Sequence, residues 1–334
     1  MLNIDPGVYV RRAVFPAERD AVFSTRWQLL GPAAKLAARR ACVAVGIAGM
    51  KVFAVRSNDG VLRAFRNMCR HRGARLLPEG EGTCGPIRCP CHPWQYPDAG
   101  VLLQARWYGT EAGFDMGDWP LEPVAVDEWR GLVFVAIRPA VGLVEQLGDT
   151  VAERAGAPIE SHAPVQTERM VFEANWKIYT DNFVEGLHSP GIHPAFHAAI
   201  DFDAFQTTAH DGLVRMTAPP KDGLFDRGKW LWMWPNWTLS LFGGGMNTSR
   251  INPLDEGRTA LIHDFYVADG VDAAARERSV QGTLAVVRED FEVCVQARAN
   301  HASGGYRPGP LSARHQTGVG YFQARVMDAL GGTA

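Results

Sequence analysis

Two short runs of ligand-type residues constrain this chain more than anything else in it. Cys69-Arg70-His71 is followed, seventeen residues later, by Cys89-Pro90-Cys91-His92. C-x-H and then C-x-x-H supply two thiolates and two imidazoles. A Rieske [2Fe–2S] centre uses that donor set, with two His replacing two Cys on one of its irons. On that reading Cys69 and Cys89 hold one iron, and His71 and His92 hold the other. The alternative is a structural Cys₂His₂ zinc site, where like ligands are usually paired in sequence. Here each pair mixes thiolate with imidazole, which favours the cluster.

The neighbouring residues are specific as well. Arg70, Arg72, Gly73 and Ala74 flank the first pair, and Pro90, Trp94 and Tyr96 flank the second. They resemble the Rieske domain of Rieske non-haem iron oxygenases, whose two runs usually read C-P-H-R-G-A and C-P-Y-H-G-W. The chain departs from that pattern at Arg70, Cys91 and Pro93. Cys91 is similar to the extra Cys of the respiratory bc-complex subunit, which forms a disulfide there. The position of its partner is Ala74 in this chain, which leaves Cys84 as the other candidate partner.

At 334 residues the chain suits two domains with a core each. Lys+Arg 34 against Asp+Glu 36, with no basic stripe, gives no sign of a nucleic-acid partner. No apolar run approaches the ~20 residues of a spanning helix, so no membrane is expected. Residues 1–10 do not resemble a signal peptide. Six Cys with no paired framework suit a reducing compartment, and a cytoplasmic location is expected.

The first part reads as short antiparallel strands. A short helix running into a strand is expected over Ala21–Gly31, then strands at Cys42–Ile47 and Lys51–Val55. Asn58-Asp59-Gly60 marks a turn before Val61–Phe65. Gly131–Ile137 closes the domain. Gly142–Ala155 has helical spacing and is stopped by Gly156 and Pro158. Beyond it, Arg169–Ala174 reads as a strand and Trp176–Leu187 as a helix. Further strands are expected at Leu213–Thr217, Lys229–Trp234, Thr238–Phe242 and Leu261–Val267. Helices are expected at Asp272–Ala299 and Ser312–Leu330. Gly243-Gly244-Gly245 lacks the context of a phosphate loop and reads as a strand bend.

A second set of ligand residues lies in Glu185-x₂-His188-x₄-His193-Pro194. On a straight helix, residues five apart sit about 140° apart and cannot share a metal. Pro190, Gly191 and Pro194 are expected to break the helix just after His188 and fold the second imidazole back. Two such His with a carboxylate make the facial triad of non-haem Fe(II) oxygenases. The carboxylate must come from further along, where Glu289, Asp290 and Glu292 are the candidates. Asp290 has Val286, Val287, Val293, Cys294 and Ala297 around it. An acid on an apolar face is costly unless paired or metal-bound. That singles out Asp290, with pairing to a basic neighbour as the alternative.

The run N-W-K-x₃-D-N-x₂-E-x₂-H-x₄-H-P, from Asn175 to Pro194, resembles the iron-binding run of Rieske oxygenase α subunits, and Glu289–Gln296 resembles their third-ligand segment. The resemblance implies that His188, His193 and Asp290 bind a mononuclear Fe(II). It also implies that Glu185 bridges a cluster His of one subunit and an iron-ligand His of its neighbour in a homotrimer. The implied fold is α+β: a Rieske [2Fe–2S] antiparallel β-sandwich domain over 21–140 and a helix-grip (START/Bet v1-like) catalytic domain over 141–334. The latter has a curved antiparallel sheet and a long C-terminal helix, and residues 1–20 pack with it. Electrons originating from NAD(P)H would come through a separate reductase or ferredoxin, since no G-x-G-x-x-G opens a helix here.

The implied activity is O₂-dependent hydroxylation or oxidative demethylation of a small organic substrate, an aromatic or ring compound. A second reading is a quaternary or N-methylated amine. Glu185 in place of Asp, and the cluster Trp230, Trp232, Trp234 and Trp237, resemble the betaine, carnitine and choline monooxygenase branch. An aromatic box binds ammonium through cation–π attraction, and Trp230, Trp232 and Trp234 share one face of a strand. A plain sheet core is the alternative for those Trp. A reading of another class is a Rieske-type electron carrier, which would leave the second set of ligands without a role. His162, His197, His210, His263, His301 and His315 have no ligand-like spacing and read as ordinary histidines.

Overall fold

The computed structural model describes residues 2–109, 111–148, 151–152, 159–219, 228–243 and 245–332. The helix stop expected at Gly156 and Pro158 and the bend expected at Gly244 lie outside the described residues. The chain divides into two compact units, Ser24–Gln146 and Met1–Phe23 with Leu147–Ala334. Among the described residues no helix is long and apolar enough to cross a membrane.

The Ser24–Gln146 unit contains β1 (Gln28–Pro32), β2 (Ala41–Ile47), β3 (Met50–Arg56), β4 (Leu62–Arg66), β5 (Gly80–Thr83), β6 (Ile87–Arg88), β7 (Gln95–Tyr96), β8 (Pro123–Trp129) and β9 (Leu132–Ala136). Among the described residues, seven of them form one sheet in the order β1-β9-β8-β4-β3-β2-β5, while β6 and β7 form a separate hairpin. Ala48 and Gly49 both have positive φ, 45° and 84°, which suits the tight β2–β3 turn. The expected strands up to β4, and β9, are present. The strands β5 to β8 were not expected. β5 is exposed at all four residues and has no apolar alternation to betray it. Phe53, Phe65, Trp94 and Tyr96 are central to the core behind the β6–β7 hairpin.

The other unit begins with α1 (Gly7–Val10) and α2 (Val14–Glu18). After α3 (Leu143–Leu147), at the boundary between units, come β10 (His162–Phe172), α4 (Trp176–Phe183), α5 (Ser189–Ile192) and α6 (Pro194–Ala199). Then follow β11 (Gln206–His210), β12 (Leu213–Thr217), β13 (Lys229–Met233), β14 (Trp237–Phe242), β15 (Gly245–Pro253) and β16 (Thr259–Ala268), and finally α7 (Ala273–Ala302) and α8 (Thr317–Ala329). The strands pair antiparallel in the order β10-β16-β15-β14-β13-β12-β11. The long α7 was expected, and its buried residues Val280, Thr283, Leu284, Val287, Asp290 and Cys294 recur at three- and four-residue spacing. β10 starts seven residues before the expected Arg169, and β11 and β15 were not expected.

Polar contacts from the N-terminal segment and α8 pin α4 in place. Asn175 caps it, accepting from the Lys177 backbone N–H at 3.0 Å. The Lys177 ammonium is fully buried against the Glu18 carboxylate, which also accepts from Trp176 Nε1 at 3.0 Å. Tyr9 O–H donates to Asp181 Oδ2 at 2.5 Å, and Gln323 Nε2 donates to the same oxygen at 3.2 Å. Burial pushes the Asp181 carboxyl up to about 7, against the pull of these donors. Gly318 sits where a Cβ would come within 2.2 Å of the Val184 carbonyl oxygen. The first turn of α8 therefore touches the backbone just beyond the end of α4.

Two outcomes are expected. Gly318→Ala should destabilise the unit by about 1–3 kcal/mol, the usual cost of overpacking, measured as a lower urea midpoint with unchanged slope. Asp181 has a folded pKa above its unfolded value, so the stability it contributes is present at low pH and lost as pH rises through about 7. The melting temperature of Asp181→Asn minus that of the native chain should therefore rise between pH 5 and 7 and level off above that range.

Candidate metal centres and cavity

The first two ligand runs lie on loops held by local hydrogen bonds. After β4, Asn67 Nδ2 donates to Leu77 O at 2.8 Å, and its Oδ1 accepts from the backbone N–H of Leu76 and Leu77. Cys69 N–H donates to Ala74 O, and Gly73 N–H donates to Cys69 O. Gly73 has φ +75°, the conformation this tight loop needs. The second run is the tip of the β6–β7 hairpin, closed by Cys89 N–H donating to Trp94 O at 2.9 Å. Cys69 and Cys89 are buried, and the two imidazoles lie 4.6 Å apart between centroids. His71 stacks on Trp94 at 4.9 Å.

The donor set fits a two-iron cluster better than one zinc ion. Nδ1 of His71 and Nδ1 of His92 are both buried and lack a hydrogen-bond partner. A metal bond is the natural use of such atoms. Among the described residues, the only three or more His, Cys, Asp or Glu side chains whose donor atoms all lie within 4.8 Å of one another are His188, His193 and Asp290. The four residues of the first site do not converge on a single point, as tetrahedral zinc requires. Tyr96 O–H lies 3.7 Å from Cys69 Sγ, and Tyr108 O–H lies 2.7 Å from His71 Nε2. Cys91 is exposed, Cys84 is buried, and neither is in a disulfide. Cys84 has the Cys42 thiol beside it instead.

The second site corrects one expectation. α4 ends at Phe183, before His188, and the prolines start new helices rather than stopping the old one. Proline is tolerated in a first helical turn because its missing N–H would be unpaired there. Pro190 occupies that place in α5, and Pro194 occupies it in α6. The break itself centres on Glu185 and Gly186. The Glu185 carboxylate accepts from the Leu187 N–H, a local bond that competes with helix. A Cβ at Gly186 would lie 2.6 Å from the Phe205 ring.

This path brings the three expected ligands together. His193 Nε2 is 2.8 Å from Asp290 Oδ1, and His188 Nε2 is 3.7 Å from the same oxygen. The opposite nitrogen of each ring meets a carboxylate. His188 Nδ1 is 2.7 Å from Glu185 Oε1, and His193 Nδ1 is 2.6 Å from Glu289 Oε2. Nδ1 then carries the proton and Nε2 is left bare, the arrangement in which carboxylates orient metal-ligating imidazoles. Burial lowers the basicity of His193, but Asp290 and Glu289 outweigh it and raise its pKa. Asn182 Nδ2 donates to Asp290 Oδ1 at 2.5 Å and fixes the third carboxylate. Sequence reasoning considered Glu289 only as a rival ligand and gave Asn182 no part here.

All three ligands face one cavity, between α4, α7 and the sheet. Of the three expected pocket tryptophans only Trp230 lines it. Trp232 is buried against Phe322 of α8 at 5.3 Å, and Trp234 lies under the Arg325 guanidinium at 5.1 Å. The three start from one face of the strand, as expected, but α8 covers the end that carries Trp232 and Trp234. Phe196 and Phe205 complete an aromatic group around Trp230, at 5.2 and 6.2 Å. Phe196 also reaches the His193 ring at 6.3 Å. His263, read as ordinary, lines the same cavity. Its place inside the apolar strand Leu261–Val267 was the available signal.

Comparisons with known proteins agree on both halves. Residues 26–108 match the family model for the Rieske [2Fe-2S] domain, and residues 159–223 and 203–332 match that for the ring hydroxylating alpha subunit (catalytic domain). The chain is 30% identical over 315 residues to the carnitine monooxygenase oxygenase subunit of Escherichia coli (strain K12), covering 90% of this chain and 84% of that one. It is 25% identical over 342 residues to the chloroplastic choline monooxygenase of Spinacia oleracea, covering 96% and 77%. Among solved structures, the quaternary ammonium Rieske monooxygenase CntA in complex with L-carnitine superposes with TM-score 0.87 at 25% identity, covering 98% of this chain and 95% of that one. Naphthalene 1,2-dioxygenase shares the fold at 19% identity and TM-score 0.81, covering 99% and 95%.

The Glu289–His193 contact makes a prediction that separates the two centres. Glu289→Gln should weaken retention of the mononuclear metal by roughly 10–100-fold, the usual cost of losing a group that orients a ligand. Asp290→Ala should abolish it. Both variants should keep the visible absorption of the cluster, so iron counts alongside absorption spectra give the readout. Loss of cluster colour with the mononuclear iron retained would overturn the assignment.

Proposed function

The chain belongs to the Rieske non-haem iron oxygenases, and from that premise we propose that it is the oxygenase component of a monooxygenase acting on a quaternary or N-methylated amine. It has the fold of that family, a Rieske domain joined to a helix-grip catalytic domain, and it uses a [2Fe–2S] cluster, a mononuclear iron and an electron-donating reductase. When bound, the two centres supply single electrons and O₂ activation, so that one oxygen atom enters a C–H bond and the other leaves as water, with two electrons and two protons consumed.

The roles of the side chains follow from the geometry. We assign the cluster to Cys69, Cys89, His71 and His92, and the iron to His188, His193 and Asp290. Glu185 and Glu289 hold the Nδ1 protons of the two iron-ligand imidazoles. Glu185 is also our candidate for the link between centres of neighbouring subunits in a homotrimer. In its support, it lines both the substrate cavity and a second cavity bounded by Ile178, Asp181 and Asn182.

The observation that carries the substrate reading is the aromatic group Phe196, Trp230 and Phe205 beside His193. Aromatic faces attract a methylated ammonium, and this group would hold an N-methyl or adjacent carbon near the iron ligands. The relatives at 25–30% identity are named for carnitine and choline. The ring-compound reading has the family model's broad description and a fold likeness at 19% identity behind it, and an electron carrier would have no use for His188, His193 and Asp290.

The test is turnover with a reductase supplied. Trimethylammonium compounds should drive O₂ consumption, and benzoate-type ring compounds should not. Trp230→Ala should raise KM by about tenfold, in line with a desolvated cation–π contact, while Trp230→Phe should restore most of it. Turnover of ring compounds alone would overturn the proposal.

A further inference from the structure

The cavity has a polar wall that neither the metal ligands nor the aromatic group explains. His263 of β16 lines it at 5% exposure, its ring stacked on Phe265 at 4.7 Å and 20°. Neither ring nitrogen has a hydrogen-bond partner. Thr283 of α7 lines the same cavity, and its Oγ1 is likewise buried without a partner. The register puts Asn247 opposite both Ser240 and Phe265, so these polar side chains share a sheet face with His263, and both line the cavity.

Three partnerless polar atoms on two residues that line one cavity point to a recognition site, because buried donors and acceptors are costly to leave unpaired. Burial lowers the His263 pKa to about 3 and keeps the ring neutral. A neutral imidazole offers one donor and one acceptor, and a threonine hydroxyl offers both. A ligand hydroxyl matches that set, since it donates once and accepts twice. A ligand carboxylate could accept from the imidazole N–H and the threonine O–H, but it brings a full negative charge. It would also share the cavity with Glu185 and Asp290, and among the described lining residues there is no Lys or Arg to pair with it.

We propose that His263 and Thr283 form the contact that determines specificity for the end of the substrate remote from its methylated nitrogen, and that this end bears an uncharged hydroxyl rather than a carboxylate. The proposal rests on the amine reading above and narrows it to ammonium alcohols.

Anaerobic calorimetric titration of the holoenzyme tests it with three probes: tetramethylammonium, choline and γ-butyrobetaine. The native chain should bind choline about tenfold more tightly than tetramethylammonium, the scale of one or two neutral hydrogen bonds, and should bind γ-butyrobetaine no better than tetramethylammonium. Thr283→Val and His263→Phe should each remove most of the choline advantage while leaving tetramethylammonium within about twofold. Cluster absorption and iron content serve as the check on folding, and the nearly isosteric Thr283→Val stands by itself if the other variant is lost. Equal weakening of all three probes, no effect on any, or a preference for γ-butyrobetaine overturns this proposal and leaves the amine reading intact. Failure of every ammonium probe to bind overturns the amine reading and this proposal with it.

Discussion

The catalytic half depends on two carboxylate–imidazole contacts, Glu185 on His188 and Glu289 on His193. Each fixes which ring nitrogen is free and where it points. Without them, two His on a short irregular stretch would be mobile side chains of no particular tautomer. Glu289 and Asp290 are neighbours on α7, about 100° apart around the helix axis. They nevertheless reach the two opposite nitrogens of the His193 ring, because that ring projects between them. One turn of α7 thus supplies both the carboxylate proposed as third ligand and the group that aims the second imidazole.

Such a site needs a rigid frame, because a break in a helix gives up backbone hydrogen bonds. The frame comes from elements distant in sequence. Glu18, Tyr9 and Gln323 hold Lys177, Trp176 and Asp181, one helical turn or more ahead of the ligands. Close contact of Gly318 with the Val184 carbonyl fixes where α4 must stop. Buried ion pairs of this kind add little net stability. Their effect here is geometric, since removing either partner of Lys177–Glu18 would strand a charge in α4, just ahead of the stretch that carries His188 and His193.

The candidate ligands stood out in the sequence because metal chemistry restricts residue type and spacing so tightly. Cys69, His71, Cys89 and His92 stand out by pairing unlike donors, and Asp290 by being an acid among Val286, Val287 and Cys294. Long periodic α7 and the alternating strands of the sheet were legible for the usual reason, that burial imposes a period. Two of the failures had no local signal. Strand β5 is wholly exposed, so no apolar pattern marks it. The fate of Trp232 and Trp234 is decided by α8, some 90 residues later, and nothing in their own alternation shows it. His263 was passed over because spacing finds metal ligands, whereas a substrate contact needs only to face a cavity.

The position of Glu185 suggests why a glutamate suits this place. Its two oxygens serve different partners, the His188 ring and the Leu187 N–H. A carboxylate has about four acceptor sites, so both contacts leave capacity for another N–H donor. Ile178, Asp181 and Asn182 of α4 line the second cavity and Tyr179 and Phe183 line the substrate cavity, so neighbouring stripes of the helix face the two, and Glu185, just past its end, lines both. Glu185 can therefore be approached from the side away from the substrate while it still holds His188. A donor imidazole arriving there from a neighbouring copy would have to displace neither contact. Under the proposed arrangement, electrons and substrate then reach the iron by separate routes, and the aromatic group around Trp230 can close on the substrate without blocking the electron path.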